Sequence, residues 1–169
     1  MLNAVKDVFK DYKEQNNIVN AQIENINLFK KSHKLEISLI TEKQIALEEI
    51  DKFEEYLKIR FQIQNVSLNI KMGGNGDRHL FPSEIKINWK NVVTYLSKKF
   101  PLTKAILNNT DIKQAENKLI VLLNTKNADF LHSYEIDKEI EKIVNNVYGL
   151  KLKVEFEENV TEDDLKKQT

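Results

Sequence analysis

Three histidines, His33, His79 and His132, are the side chains best suited to ligate a metal or move a proton near neutral pH. None stands at helical ligand spacing from another histidine or from a suitable group of acids, so each reads as a surface histidine and no metal site is expected. The acid pairs Glu48-Glu49 and Glu54-Glu55 fall on the polar side of a helical pattern, where they would solvate the helix and favour its early turns through the dipole. No Gly-x-Ser-x-Gly elbow and no Walker loop is present, and no Ser, Lys or Asp has an obvious activating neighbour. The expectation is a stretch with no catalytic residues, no cofactor of its own and no small-molecule substrate.

Residues that could bind rather than react are easier to find. Lys30, Lys31 and Lys34 flank a turn that also carries His33, and together they could touch phosphate; lysines at an exposed turn otherwise serve solubility. Gly73-Gly74-Asn75-Gly76 spells G-x-x-G, the loop that clamps a nucleic-acid backbone in KH modules. A clamp of that kind joins two helices, whereas this run leaves a strand pattern, so it reads as a linker. Trp89, the single tryptophan, shares a helical pattern with Tyr95 and has Phe100 close behind it. Core packing accounts for all three, and an aromatic anchor in a protein interface is the sharper alternative.

Composition narrows the partners. The chain has 169 residues, and its 26 basic and 26 acidic side chains cancel, so no global field concentrates it on nucleic acid. Any such contact must come from a local patch. With no cysteine there is no disulfide, thiolate site or thiol nucleophile, in keeping with a reducing compartment, and cytoplasm is the plain reading. No stretch approaches the roughly 18 apolar residues of a membrane span, and the first residues lack the core of a signal peptide.

The elements that must position these residues follow from periodicity. Leu2, Val5, Phe9 and Tyr12 recur at helical spacing; Ile26 and Leu28 alternate with asparagines, and Leu35, Ile37 and Leu39 alternate with polar residues across the Lys31-Ser32-His33 turn. This predicts an amphipathic helix and a β-hairpin with one dry face. Leu47, Ile50, Phe53, Leu57 and Phe61 predict a second helix, and Val66, Leu68 and Ile70 a third strand. Three of the four glycines then crowd into residues 73–76, with Pro82 shortly after, which marks a boundary. Beyond it Trp89, Val92, Val93 and Leu96 rebuild the first helix and Pro101 starts an additional short one. Ile112 begins a strand, and Asn117 suits the turn before Leu119–Leu123, whose continuous apolar run predicts a strand covered on both sides or at an interface edge. Ile136, Ile140, Ile143 and Val147 form a helical stripe that Gly149 caps, and Leu150 to Phe156 alternate as a last strand.

The chain also repeats itself. KLEISLIT from Lys34 lines up with KLIVLLNT from Lys118, an offset of 84; the same offset sets Val66–Ile70 on Leu150–Val154, and Asn65 on Gly149 as a shared left-handed cap. A duplication implies two small domains, each near the lower size limit for a self-sufficient core. The expected fold is α+β: residues 1–72 as one α-β-β-α-β domain, 73–83 as a Gly-rich linker, 84–157 as a second α-α-β-β-α-β domain, and 158–169 as a flexible acidic tail. Each domain would hold a three-stranded sheet with helices packed on one face.

Four segments carry a family resemblance: INLFKKSHKLEISL, INWKNVVTYLSKKFPLTKAIL, ENKLIVLLNT and YGLKLKVEF. With them the chain resembles the N-terminal region of the Gram-positive PolC-type DNA polymerase III alpha subunit. Its second half is also similar to the interaction domain at the start of DnaA and to the last domain of the tau clamp-loader subunit, both KH-like docking modules without a working G-x-x-G loop. The resemblance implies two tandem KH-like domains forming an accessory arm ahead of the oligonucleotide-binding, PHP, exonuclease and polymerase regions. It implies partners among replisome proteins or the polymerase body itself, with single-stranded DNA as a weak alternative partner. The parent enzyme would polymerise DNA with magnesium; its nucleotidyl-transfer carboxylates map to no position here.

Overall fold

The structure is a computed structural model, and it describes residues 1–73 and 86–159. The chain divides into two compact units, each built on its own three-stranded sheet. Residues 74–85 and 160–169, which include most of the expected linker, all of its G-x-x-G run but Gly73, His79 and most of the expected tail, lie outside the described residues.

In the first unit a single helical turn, α1 (Val5–Val8), and a 3-10 turn (Asn17–Asn20) precede β1 (Gln22–Phe29), β2 (Lys34–Thr41), α2 (Leu47–Phe61) and β3 (Asn65–Met72). The middle strand is β2, antiparallel to β1 and parallel to β3, with Ile37 opposite both Ile26 and Leu68. Its alternation decides the packing: Leu35, Ile37, Leu39 and Thr41 are buried, and the residues between them are half-buried. Val66, Leu68 and Ile70 join that buried face from β3. Phe53 of α2 is fully buried there, its ring 5.6 Å from Phe9 and 5.1 Å from Tyr12.

Two expectations for this unit need correcting. The amphipathic helix over Leu2 to Tyr12 is one turn long, and Val8 is exposed. Phe9 and Tyr12 are buried all the same, because the chain leaves helical geometry at Phe9 and turns, laying both rings against Phe53 and Tyr56. The hairpin is also not dry along its length: Ile26 and Leu28 pair in register with buried Ile37 and Leu35 yet stay 43% and 52% exposed. The buried layer stops short of the distal half of β1.

The second unit runs α3 (Trp89–Lys99), α4 (Leu102–Leu107), β4 (Asp111–Gln114), β5 (Lys118–Leu123), α5 (Ala128–Ser133), α6 (Ile136–Tyr148) and β6 (Lys153–Glu158). Its sheet repeats the first one's topology: β5 is central, antiparallel to β4 and parallel to β6. Leu119, Val121 and Leu123 are buried, while Ile120 and Leu122 are only half-buried, so β5 has one core face and one partly covered face. It is not covered equally on both sides. Charged neighbours flank the second face, with Lys118 paired to Glu155 at 3.0 Å. Ile136, Ile140, Ile143 and Val144 give α6 its buried stripe. Helix α5 has no counterpart in the expected pattern, and β6 begins at Lys153 rather than Leu150, although Leu150 and Leu152 are buried.

The repeat is real in topology but not in a single register. Lys34 and Lys118 open equivalent strands 84 positions apart, while their parallel partners, Asn65 and Lys153, stand 88 apart. The left-handed residue ending the long helix is Gly149 (φ 66) in the second copy, but Gln62 (φ 52), not Asn65, in the first. Asn65 is the opening residue of β3. Most of that drift has accumulated by the cap of the long helix, where Gln62 and Gly149 stand 87 apart, and the connection from helix to last strand adds one residue more.

Candidate functional site

The lysines at the hairpin do not act as one group. Lys30 and Lys31 occupy the turn between β1 and β2, which His33 closes with φ 49, and all three are exposed. Lys34 begins β2, and its ammonium is paired at 2.6 Å with Glu36, two residues along on the same face. A phosphate arriving here meets two free-standing cations and one already neutralised.

The aromatic residues separate too. Trp89 opens α3, half-buried, and its indole Nε1–H donates to the Thr110 hydroxyl at 3.0 Å. Thr110 is buried and its hydroxyl donates in turn to the Leu107 carbonyl, so the tryptophan ring is held by a two-step chain of hydrogen bonds. Beside it lies a groove of about 550 Å³ between α3 and α4, lined by Trp89, Val93 and Ser97 on one side and Lys104, Leu107 and Thr110 on the other. The spacing i, i+4, i+8 puts the first three on one face of α3. Tyr95 and Phe100 do not line this groove; Tyr95 is half-buried on another face of the helix, and Phe100, just past its end, has the Lys99 ammonium 5.6 Å from its ring centre. Of the three aromatic candidates, only Trp89 therefore lines this groove. The α4 side of the groove, Lys104, Leu107 and Thr110, was missed in the sequence; its signal was Pro101, which stops α3 and folds the next helix back alongside.

The most perturbed ionisable group is Tyr56. Burial pushes its phenol up to about 12, and its O–H donation to the Asp11 carboxylate at 2.6 Å adds to the rise. The same hydrogen bond holds Asp11 below the ordinary carboxylate range, with Arg60 Nε at 3.3 Å adding attraction. This is a satisfied, charge-balanced tether between the N-terminal segment and α2, with no vacancy for a substrate. Glu49, expected only to solvate α2, accepts from the backbone N–H groups of Asn17 and Ile18 at 3.1 and 3.2 Å, and so anchors the start of the 3-10 turn. His132 Nδ1 sits 3.5 Å from Asp137 and its ring lies against Phe156. Among the described residues no group of three or more His, Asp or Glu side chains converges to hold a metal ion. No helix among them is long and apolar enough to cross a membrane.

Comparison with known proteins matches each unit separately. Residues 5–71 fit the family model described as DNA polymerase III polC-type N-terminus I, and residues 87–169 fit DNA polymerase III polC-type N-terminus II. The DNA polymerase III PolC-type of Caldanaerobacter subterraneus subsp. tengcongensis is 25% identical over 158 residues, covering 87% of this chain. The chain belongs to the PolC-type DNA polymerase III N-terminal region. It spans 11% of the length of that curated relative. In this PolC-type region the N-terminus I match falls on the sheet β1-β2-β3 and the N-terminus II match on β4-β5-β6, so the two matched parts of this chain share one sheet topology.

Proposed function

We propose that the chain is the docking and organising arm of a cytoplasmic replicative DNA polymerase, carrying no chemistry itself and taking part in replication through protein contacts. Its working parts would be two KH-like domains, residues 1–72 and 84–157, joined by the glycine-rich segment. The observation that supports this reading is the α3–α4 groove, with a tryptophan anchored at its edge by a buried threonine and with apolar Val93 and Leu107 in its lining. A rigid, half-exposed aromatic ring beside an apolar-floored concavity is what a protein interface needs at its centre. Tethering supplies the mechanism: a weak module on a linked polypeptide raises its partner's local concentration, so modest affinity is sufficient. The alternative, guidance of single-stranded template by Lys30, Lys31 and Lys34, is weakened by the commitment of Lys34 to Glu36.

Because Trp89 is the only tryptophan, a chain labelled with 5-fluorotryptophan gives a single fluorine resonance from the groove. Titration with the remaining polymerase body, and separately with the tau C-terminal portion, is expected to move that resonance in at least one tube. Trp89→Ala should weaken the same contact by at least about tenfold. A resonance that ignores both proteins would sink the docking reading at this groove.

A further inference from the structure

We propose that a second groove of the second unit is a track for the sugar–phosphate backbone of DNA. It goes beyond the docking reading and uses none of the residues around Trp89. The groove, about 560 Å³, lies between α6 and the segment entering β6, and four of its seven lining residues are lysines: Lys138 and Lys142 from α6, Lys151 and Lys153 from the approach to and start of β6. The whole chain balances 26 basic against 26 acidic side chains, so four lysines to one acid is a local concentration of charge that composition alone does not produce.

The single acid in the lining offsets one of the four lysines, Lys138, and the lining keeps an excess of positive charge. Glu141 has both oxygens committed: Oε1 accepts from the Val154 backbone N–H at 3.1 Å, capping the open edge of β6, and Oε2 faces Lys138 at 3.5 Å. Lys151 and Lys153 are exposed and have no carboxylate partner among the described residues. Lys118, opposite Lys153 in the parallel register, is held by Glu155 and is not part of the lining.

Ligand chemistry follows from what lines the groove. Lysine ammonium groups are compact, strongly hydrated charges on flexible stems, suited to phosphates that arrive without fixed orientation. No aromatic ring lines the groove, so there is no platform for a base, and contact would be to backbone and independent of sequence. The one apolar lining residue, Leu152, is buried, which leaves no apolar anchor of the kind a protein partner would grip. In a chain of a DNA polymerase family, the polyanion that fits is DNA.

The test is fluorescence anisotropy of the full 169-residue chain with labelled oligo(dT) and, in a parallel arm, a labelled duplex of equal length, at about 50 and 200 mM salt. Binding that weakens steeply with salt is expected, with the tighter arm naming the strand form. Lys151→Gln with Lys153→Gln should cost about tenfold at the lower salt and make the salt dependence shallower by about one to two counterions. Lys30→Gln with Lys31→Gln, and Trp89→Ala, should each leave DNA affinity within about twofold, which keeps this result separate from the docking test. Lys138→Gln, on the helix, is the independent variant should the double change disturb folding by circular dichroism. No binding in either arm, affinity unmoved by the groove variants, or an acidic peptide bound as tightly as DNA would each overturn the proposal.

Discussion

Tyr56 and Asp11 stand 45 positions apart, and their contact ties the N-terminal segment to α2 through one short hydrogen bond. Because the folded-state pKa of Tyr56 is raised, to about 12, the stabilisation linked to its neutral form is complete below the ordinary tyrosine value near 10 and is lost as pH climbs toward 12. Tyr12, also raised by burial, acts in the same direction. The urea midpoint should hold steady up to about pH 9 and fall from about pH 10 to 12, and Tyr56→Phe should make that fall smaller; equal slopes for variant and parent would refute the linkage. Asp11, held low, works oppositely: its share is present above about pH 4 and lost in acid, and as an exposed group it is screened by salt. Neither residue was singled out in the sequence. A pair this far apart leaves no periodic trace, and the same distance problem hid Glu49, whose partners Asn17 and Ile18 lie 32 and 31 positions away.

Elements were legible where one face is buried and the spacing is regular. The alternation over Leu35, Ile37 and Leu39 located β2, and the stripe from Leu47 to Phe61 gave α2 its observed limits. Failures came where tertiary contacts overrode local pattern. Helical spacing over Val5, Phe9 and Tyr12 was satisfied by burying the rings of Phe9 and Tyr12 from a turn, since Phe53 and Tyr56 offer a surface that a continuing helix would not meet in the same way. The left-handed cap was assigned to Asn65 from residue preference, whereas the backbone places it at Gln62, a residue with no special tolerance for positive φ. Gln62→Gly should therefore stabilise the first unit by about 0.5–1 kcal/mol, less whatever the added freedom of the unfolded chain returns. Urea unfolding checks this, and a loss of stability would mean the Gln62 side chain makes contacts that outweigh the strain. The candidate groove followed the same rule: Trp89 was visible as the lone tryptophan, but its α4 wall was not, because the fold-back after Pro101 is a tertiary event.

For the whole molecule, duplication was the strongest inference from sequence, and two sheets of one topology bear it out. The offset was shared by only part of each copy, because the second copy carries extra residues after its central strand, most of them ahead of the cap of the long helix. Neutral overall charge was read as leaving any nucleic-acid contact to a local patch; which residues would form one was hidden, because the lysines of the α6–β6 groove come from two separate segments of chain. In each sheet the central strand meets one neighbour across a short turn and the other only after the chain has traversed at least one helix. The consequence is kinetic. Local pairs form early and long closures late, so β1 with β2 should acquire amide protection before β2 with β3, and β4 with β5 before β5 with β6. Pulsed hydrogen exchange during refolding reads this order directly, and simultaneous protection of all three strands would disprove it. On a ribosome, where β3 is made after β1 and β2, Leu35, Ile37 and Leu39 must wait for Val66, Leu68 and Ile70 to emerge, so each unit passes through an interval of exposed apolar strand that its last-made strand brings to an end.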